Sequence, residues 1–162
     1  MPSWWAGKVR QFATHVHGGV RPDERRELDM WLTPAQGRLF EAMHPADRRH
    51  GLDVVSRLRA EGWSEPSLLL AGLFHDAGKG RTGLWPRVAW SLAERYGRLP
   101  RQVARFVPGF GQALERLDRH PETSAELALL AGCPVRTAEL IRGQSEPLDD
   151  AGRALHRADE AS

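Results

Sequence analysis

The sequence predicts an all-α fold, and three observations support this prediction. Extended runs in which β-branched or aromatic residues alternate with polar ones, the pattern typical of strands, are almost absent. Proline followed by acidic residues, which favours a helix N-terminus, recurs along the chain, and glycines that suit helix ends recur between these starts. The segments between starts and ends are about 10 to 16 residues long, a usual helix length in globular proteins.

The helix boundaries follow from the proline and glycine positions. The predicted starts are Pro22, Pro34, Pro45, Pro66, Pro121 and Pro134. The predicted ends are marked by Gly62, Gly78 with Gly80, Gly97 and Gly132. One further start is predicted at Leu148-Asp149-Asp150, a sequence typical of the N-cap and first turn of a helix.

Two sections are distinguished along the chain. Residues 1–43 are predicted to form two or three amphipathic helices that make up an N-terminal layer. Residues 44–162 are predicted to form the main helical bundle. Within the bundle, the segment 81–116 carries seven arginines against Glu94 and Glu115, so its local charge is +5. Such a segment suits an anionic ligand, and a solvated helical face is the alternative. The apolar side chains that the N-terminal layer offers for burial are Trp31, Leu32, Leu39, Phe40 and Met43.

Composition disfavours several classes of protein. The 162 residues suit one domain with a sizeable core. The 23 Lys and Arg against 21 Asp and Glu give a net charge of +2, which is less than a general polyanion binder usually carries. Cys133 is the single cysteine, so an internal disulfide is excluded. The longest apolar run, 68–74, is far shorter than the roughly 18 to 20 residues of a membrane span, and no apolar signal region follows Met1. The sequence therefore predicts a soluble, cytoplasmic protein.

The segment 68–80 combines an apolar helix with a polar end. Its first seven residues are apolar on every side, which predicts a helix buried all round, and His75 and Asp76 follow directly. A buried carboxylate is costly unless it is paired or bound to a cation. Adjacent helical side chains diverge by about 100°, so both residues can bind one ion only where the helix ends, and Gly78 and Gly80 supply that end. A metal ion held by this doublet is one interpretation, and an Asp76–arginine pair beside a core histidine is the other.

Two other segments carry candidate ligands beside apolar residues. His50 lies at the edge of the apolar stripe of residues 52–58, from which it can reach a neighbouring helix. Asp53, three residues later, is a candidate to orient the His50 ring. Asp159 lies beside apolar residues near the other end of the sequence. Taken singly, His50 suits an ordinary core histidine and Asp159 suits a surface acid.

Four segments in a particular order carry a family resemblance. They read RHGLDVVSRL, LLLAGLFHDAGKG, HPETSAELALLAG and LHRADEAS, within residues 44–162. Together they resemble the HD superfamily of metal-dependent phosphohydrolases, and the His-Asp doublet followed by Gly-Lys is the most specific part. The resemblance implies an HD-type helical bundle with a metal in a cleft between helices, preceded here by the extra N-terminal layer of residues 1–43.

The resemblance implies a metal site with two imidazoles and two carboxylates. The implied ligands are His50, His75, Asp76 and Asp159. Asp149 and Asp150 compete for the last position, but they suit a helix cap better, so Asp159 is favoured. Such a mixed site suits Mn²⁺, Fe²⁺, Co²⁺ or Zn²⁺ better than Mg²⁺. Relatives with two metals carry further histidines where this chain has residues 141–146 without any, so one divalent ion is expected.

The implied activity is hydrolysis of a nucleotide or another phosphate ester by a metal-activated water. Lys79 and His120 are the expected catalytic residues, Lys79 to stabilise phosphoryl oxygens and His120 to act as a general acid or phosphate donor. A solvent-facing lysine and a helix-terminal histidine with ordinary polar contacts are the alternatives. Arg48 and Arg49 are candidates to bind the phosphorylated substrate.

Two other functions fit the same sequence. One is a metal-binding regulatory or scaffold HD domain without turnover, favoured by the missing histidines and by the position of Asp159 close to the end of the chain. The other is an RNA- or DNA-associated protein that uses the basic segment 81–116. Its binding would weaken steeply with salt and would ignore mutation of His75 or Asp76, whereas enzymatic activity would be lost with either mutation.

Overall fold

The computed structural model describes residues 19–80 and 119–162, and every regular element in these two ranges is a helix. The helices are α1 (Pro22–Trp31), α2 (Pro34–Ala42), α3 (Pro45–Ala60), α4 (Pro66–Phe74), α5 (His120–Leu130), α6 (Val135–Arg142) and α7 (Asp150–Ala161). A short 3-10 turn, Ala77–Lys79, follows α4. The all-α prediction is confirmed for these ranges, whereas the basic segment 81–116 and the helix end predicted at Gly97 lie outside them. Among the described helices, none combines the length and the apolar character needed to cross a bilayer.

The observed helix starts agree with the proline pattern, and two of the predicted glycine ends are confirmed, but α4 ends at Phe74, four residues before Gly78. Helices α1 to α4 begin at the predicted prolines, and α5 and α6 begin one residue away from theirs. Gly62 and Gly132 follow α3 and α5 with φ angles of 90° and 78°, a left-handed conformation that costs glycine little. Asp149 caps α7, since its Oδ1 accepts a hydrogen bond of 2.8 Å from the backbone N–H of Gly152.

Helix α4 lies at the centre of the core. Residues 68–74 are all buried, because a helix that is apolar on every side has no face to present to water. It packs against α3, α6 and α7, and each large apolar side chain buried in this way contributes about 1.5–3 kcal/mol. The two polar residues that follow, His75 and Asp76, are consequently held inside the protein.

Two glycines allow neighbouring backbones to approach the end of α4 closely. A Cβ atom at Gly51 of α3 would lie 2.5 Å from the carbonyl oxygen of Leu73. A Cβ atom at Gly78 would lie 2.6 Å from the backbone nitrogen of Ser124, and the Gly78 N–H donates a hydrogen bond of 2.8 Å to the Ser124 hydroxyl. Helices α3 and α5 are therefore brought against the segment 73–78 from two sides.

The N-terminal helices α1 and α2 share the core of the later helices. Phe40 and Met43 are buried in the same apolar cluster as α4, and Trp31, Leu32 and Leu39 are partly buried against it. The burial predicted for these side chains is thus confirmed for two of them and partial for the other three. The division of the chain into two domains at residue 43, and an HD-type arrangement of the bundle, stay predictions.

Candidate metal centre

Three side chains from distant parts of the sequence meet beside the end of α4. His50 comes from α3, His75 from the first position after α4, and Asp159 from α7. Asp159 Oδ1 lies 2.8 Å from Nε2 of His50 and 3.2 Å from Nε2 of His75. The ligand atoms of all three lie within 4.8 Å of one another, so they form a group able to hold a metal ion.

The orientation of the His75 ring is fixed by the helix that precedes it. Its Nδ1–H donates to the carbonyl oxygen of Gly72 at 2.9 Å, so Nε2 is the nitrogen turned toward Asp159. A histidine held through one ring nitrogen presents the other in a defined direction, as metal-binding histidines do. The His50 and His75 rings meet edge to face with centroids 5.1 Å apart. Both imidazoles are thereby directed at the same carboxylate oxygen.

Asp76 lies beside this group and is already paired with a cation. Its Oδ2 accepts from the ammonium of Lys79 at 2.6 Å, and its Oδ1 lies 3.6 Å from His75 Nε2. The side chain is almost fully buried, which raises its pKa, but Lys79 and His75 outweigh burial and hold the pKa well below its usual range. The sequence allowed an arginine as the partner of this buried acid, and the structure supplies Lys79 instead. A ligand role for Asp76 stays a prediction.

His120 and Lys79, the two expected catalytic residues, both lie next to Asp76. His120 is buried at the start of α5, with its Nε2 3.5 Å from Asp76 Oδ1 and 3.3 Å from the amide nitrogen of Gln144. Lys79 is largely buried, and burial lowers its pKa. The charge and the hydrogen bond of Asp76 outweigh this effect and raise the pKa of Lys79 above the ordinary value. The lysine is therefore held as a cation. The structure places both residues at the candidate site, and their catalytic roles stay predictions.

The site concentrates negative charge around His75. Burial lowers the pKa of this imidazole, but the carboxylates of Asp76 and Asp159 outweigh burial and raise the pKa to about 9. Burial conversely raises the pKa of Asp159, and the imidazoles of His75 and His50 bring it far below the usual range. Two ionised carboxylates share the positive charge of Lys79, so the centre attracts a further positive charge, which a proton or a metal ion can supply.

Sequence reasoning missed two residues of this centre. Asp47 is buried on α3, three residues before His50, and its charge helps to raise the pKa of Lys79. Its signal was its spacing, since residues three apart on a helix share a face. Gln144 was noticed only as the place of a missing histidine, whereas its side chain is buried against His120.

Arg48, Arg49 and Asp53 lie on the side of α3 that faces the N-terminal helices. Arg48 donates to Glu41 at 2.9 Å. Arg49 donates two hydrogen bonds of 2.7 and 2.9 Å to the carboxylate of Glu24, and its Nε donates to Asp53 at 3.0 Å. A substrate role for the arginines and an orienting role for Asp53 stay predictions, and both arginines are engaged by carboxylates of the protein.

The donor set fits a divalent transition metal. Metal–ligand bonds of about 2.0–2.2 Å at tetrahedral or octahedral angles place neighbouring donor atoms about 3 Å apart. The separations of Asp159 Oδ1 from the two imidazole nitrogens, 2.8 and 3.2 Å, are compatible with this value and are also those of ordinary hydrogen bonds. Two imidazoles with carboxylate oxygens suit iron, zinc, manganese or cobalt. The competing acids Asp149 and Asp150 are placed elsewhere, at the N-terminus of α7.

Comparison of this chain with protein-family models, with curated proteins and with solved structures returns no match.

Proposed function

We propose that this chain is a metal-dependent phosphohydrolase of the HD type that cleaves a nucleotide or another phosphate ester. The observation that carries the proposal is the convergence of His50, His75 and Asp159 on one point. His50 and Asp159 are more than a hundred residues apart in the sequence and lie on different helices. The fold nevertheless brings a ring nitrogen of His50 and a carboxylate oxygen of Asp159 to within 4.8 Å of a ring nitrogen of His75. Two imidazoles and a carboxylate that converge in this way are a donor set that suits a transition metal.

In this proposal the metal ligands are His50, His75, Asp76 and Asp159. One divalent ion, Mn²⁺, Fe²⁺, Co²⁺ or Zn²⁺ rather than Mg²⁺, would supply Lewis-acid chemistry by acidifying water and polarising a phosphoryl oxygen. Because His75 is anchored through Gly72 and is almost fully buried, its ring needs little rearrangement to bind. Preorganised ligands of this kind favour binding, since less side-chain entropy is lost.

The remaining polar residues supply charge and protons. An ammonium has three N–H donors, so Lys79 can keep its bond to Asp76 while another N–H meets a phosphoryl oxygen of the substrate. Fixed positive charge at this position stabilises the charge that develops in phosphoryl transfer. His120, held between Asp76 and Gln144, is the residue assigned to protonate the leaving oxygen.

A hydrolysis screen tests the proposal. The full chain is loaded separately with Mn²⁺, Fe²⁺, Co²⁺, Zn²⁺ and Mg²⁺ and is incubated with nucleoside and deoxynucleoside monophosphates, cyclic nucleotides and p-nitrophenyl phosphate. Product formation is expected with at least one of the first four metals. His75→Ala is expected to abolish it, whereas His156→Ala is expected to retain it, because His156 is a half-exposed residue of α7 that pairs with Glu160 and not with the candidate ligands.

The negative outcomes separate the competing functions. Metal binding without hydrolysis of any substrate would contradict turnover and favour a regulatory or scaffold domain. Hydrolysis that survives His75→Ala would contradict the assigned site. Salt-sensitive RNA or DNA binding that ignores this substitution would favour the nucleic-acid alternative.

A further inference from the structure

Two arginines immediately before His50 connect its helix to the N-terminal helices. Arg49 binds Glu24 of α1 through both terminal nitrogens, at 2.7 and 2.9 Å. Arg48 binds Glu41 of α2 at 2.9 Å. Side chains of successive helical residues diverge by about 100°, so these arginines point toward the N-terminal helices while His50 points toward α4 and α7. The start of α3 thus contacts the carboxylates of Glu24 and Glu41 on one side and the candidate metal site on the other.

The first two turns of α3 have no large apolar side chain to hold them in place. Among residues 45–51, the buried positions are Asp47 and Gly51, and the buried apolar stripe begins at Leu52. Gly51 contacts the backbone of Leu73 without a side chain between them. The apolar stripe from Leu52 onward holds the rest of α3 in the core, whereas the first two turns depend on this bare backbone contact and on polar contacts for their position. These polar contacts, together with the bond to Asp159, therefore help to set where the His50 ring lies.

The pair between Glu24 and Arg49 is suited to this task because it is shielded from water. The two side chains are only 13% and 14% exposed, and their bidentate geometry is more directional than a single hydrogen bond. The hydrogen bond from Arg49 lowers the pKa of Glu24, so the pair stays ionised. Arg49 is also held by Asp53 of its own helix at 2.8 Å, which keeps its guanidinium in place.

We propose that Glu24 is a positioning residue for His50: through Arg49 it fixes the start of α3 and so sets the affinity of the site for its metal. The inference rests on the proposed metal site, and it gives the N-terminal layer a role that the fold alone does not require.

Matched substitutions on α1 test this role. Glu24→Gln keeps the size of the side chain and removes the charge. Glu27→Gln is the control, because Glu27 also connects α1 to α3 through Arg59, but this pair is exposed and Arg59 lies in the last turn of α3. In calorimetric titration with Mn²⁺, Glu24→Gln is expected to weaken binding about fivefold or more, the lower end of usual coupling between sites, and Glu27→Gln less than twofold.

A second variant and a metal-free readout keep the test independent of folding and of metal binding. Arg49→Lys retains the positive charge but loses the two-pronged geometry, so a smaller loss of affinity in the same direction is expected. In the metal-free protein, NMR signals of the His50 ring report its hydrogen bond to Asp159. These signals are expected to shift in Glu24→Gln and to stay unchanged in Glu27→Gln.

The outcomes distinguish this inference from the proposed function. If the wild-type protein binds no metal, the proposed function fails, and the ring signals alone decide the positioning role. Equal metal affinity and equal His50 signals in the wild type and the folded Glu24→Gln variant would overturn the role of Glu24. An equal loss of affinity in Glu24→Gln and Glu27→Gln would also overturn it, since a general effect of loosening α1 would then be sufficient.

Discussion

Replacement of Gly51 by alanine is the sharpest perturbation that the fold offers near the site. Gly51 follows His50 on α3, and the Leu73 carbonyl against which it packs lies two residues before His75. The added Cβ atom would lie 2.5 Å from that carbonyl oxygen, a distance that real Cβ atoms essentially never show. Ordinary contact needs at least 3.4 Å, so the two helices must separate by roughly 1 Å or the backbone must distort.

Two opposing effects set the size of the result. Alanine is the better helix former by about 1 kcal/mol, which favours the variant. Overpacking of a close contact typically costs 1–3 kcal/mol, and a backbone oxygen cannot move aside as the tip of a side chain can, so a net loss of about 1–2 kcal/mol in the free energy of unfolding is expected. The effect on metal binding is expected to be of similar size, because a shift of α3 against α4 moves His50 relative to His75. A loss of affinity of about tenfold is expected, which corresponds to about 1.4 kcal/mol.

Gly37→Ala provides the matched control. Gly37 lies within α2, and a Cβ atom there would meet nothing within 4 Å, so only the gain in helix propensity remains. Urea denaturation of metal-free protein measures the stability of both variants, and calorimetry with Mn²⁺ measures their metal affinity. Gly51→Ala with wild-type stability and wild-type metal affinity would refute the argument that close contact between α3 and α4 builds the site.

Two other predictions address stability. Thr33 and Gln36 bond reciprocally at the start of α2, with the Thr33 hydroxyl accepting from Gln36 N at 3.3 Å, so Thr33→Ala is expected to cost about 1 kcal/mol in urea denaturation and to leave metal affinity unchanged. In metal-free protein, the pKa of His75 is raised from 6.5 to about 9. The stabilisation of the folded state by the protonated imidazole is therefore complete below pH 6.5 and is lost as the pH rises through 9. Up to about 3 kcal/mol of unfolding free energy is expected to disappear over this window, and a flat profile in urea denaturation from pH 6.5 to 9.5 would contradict the charged state assigned to His75.

Much of the fold could be predicted because its signals are local. Proline at a first helical turn, glycine after the last turn and the Asp149 cap act within a few residues of one another, and the described helices begin within one residue of these signals, while α3 and α5 end at theirs. The all-apolar run of α4 likewise requires burial wherever it packs. Such features need no knowledge of distant contacts.

The site was predictable only in part. The His75-Asp76 doublet at the end of a buried helix pointed to a charged partner, but sequence alone did not choose between a metal and an ion pair, and Lys79 proved to be one partner of Asp76. The meeting of His50 with Asp159 depends on how α3 and α7 cross α4, which no local pattern specifies. The family resemblance supplied that pairing, and the structure brings the two residues within 2.8 Å.

Long-range ion pairs were beyond prediction. Arg49 and Glu24 are separated by 25 positions, and any of several arginines could have met that acid. The choice depends on the tertiary arrangement of α1 against α3. Arg49 stays a candidate to bind substrate, and its guanidinium is bound by two carboxylates of the protein.

Metal analysis of the full chain tests whether three helices build a metal site around Asp159. Wild type, Asp159→Asn and Asp150→Asn are purified without chelator, supplied with Mn²⁺ or Fe²⁺, and analysed for bound metal. Asp150 is the control, because it belongs to the same helix and its side chain is 86% exposed. About one metal ion per chain is expected in the wild type and in Asp150→Asn, and a strong loss of bound metal is expected in Asp159→Asn. No metal in the wild type, or full occupancy in a folded Asp159→Asn variant, would contradict the proposed site.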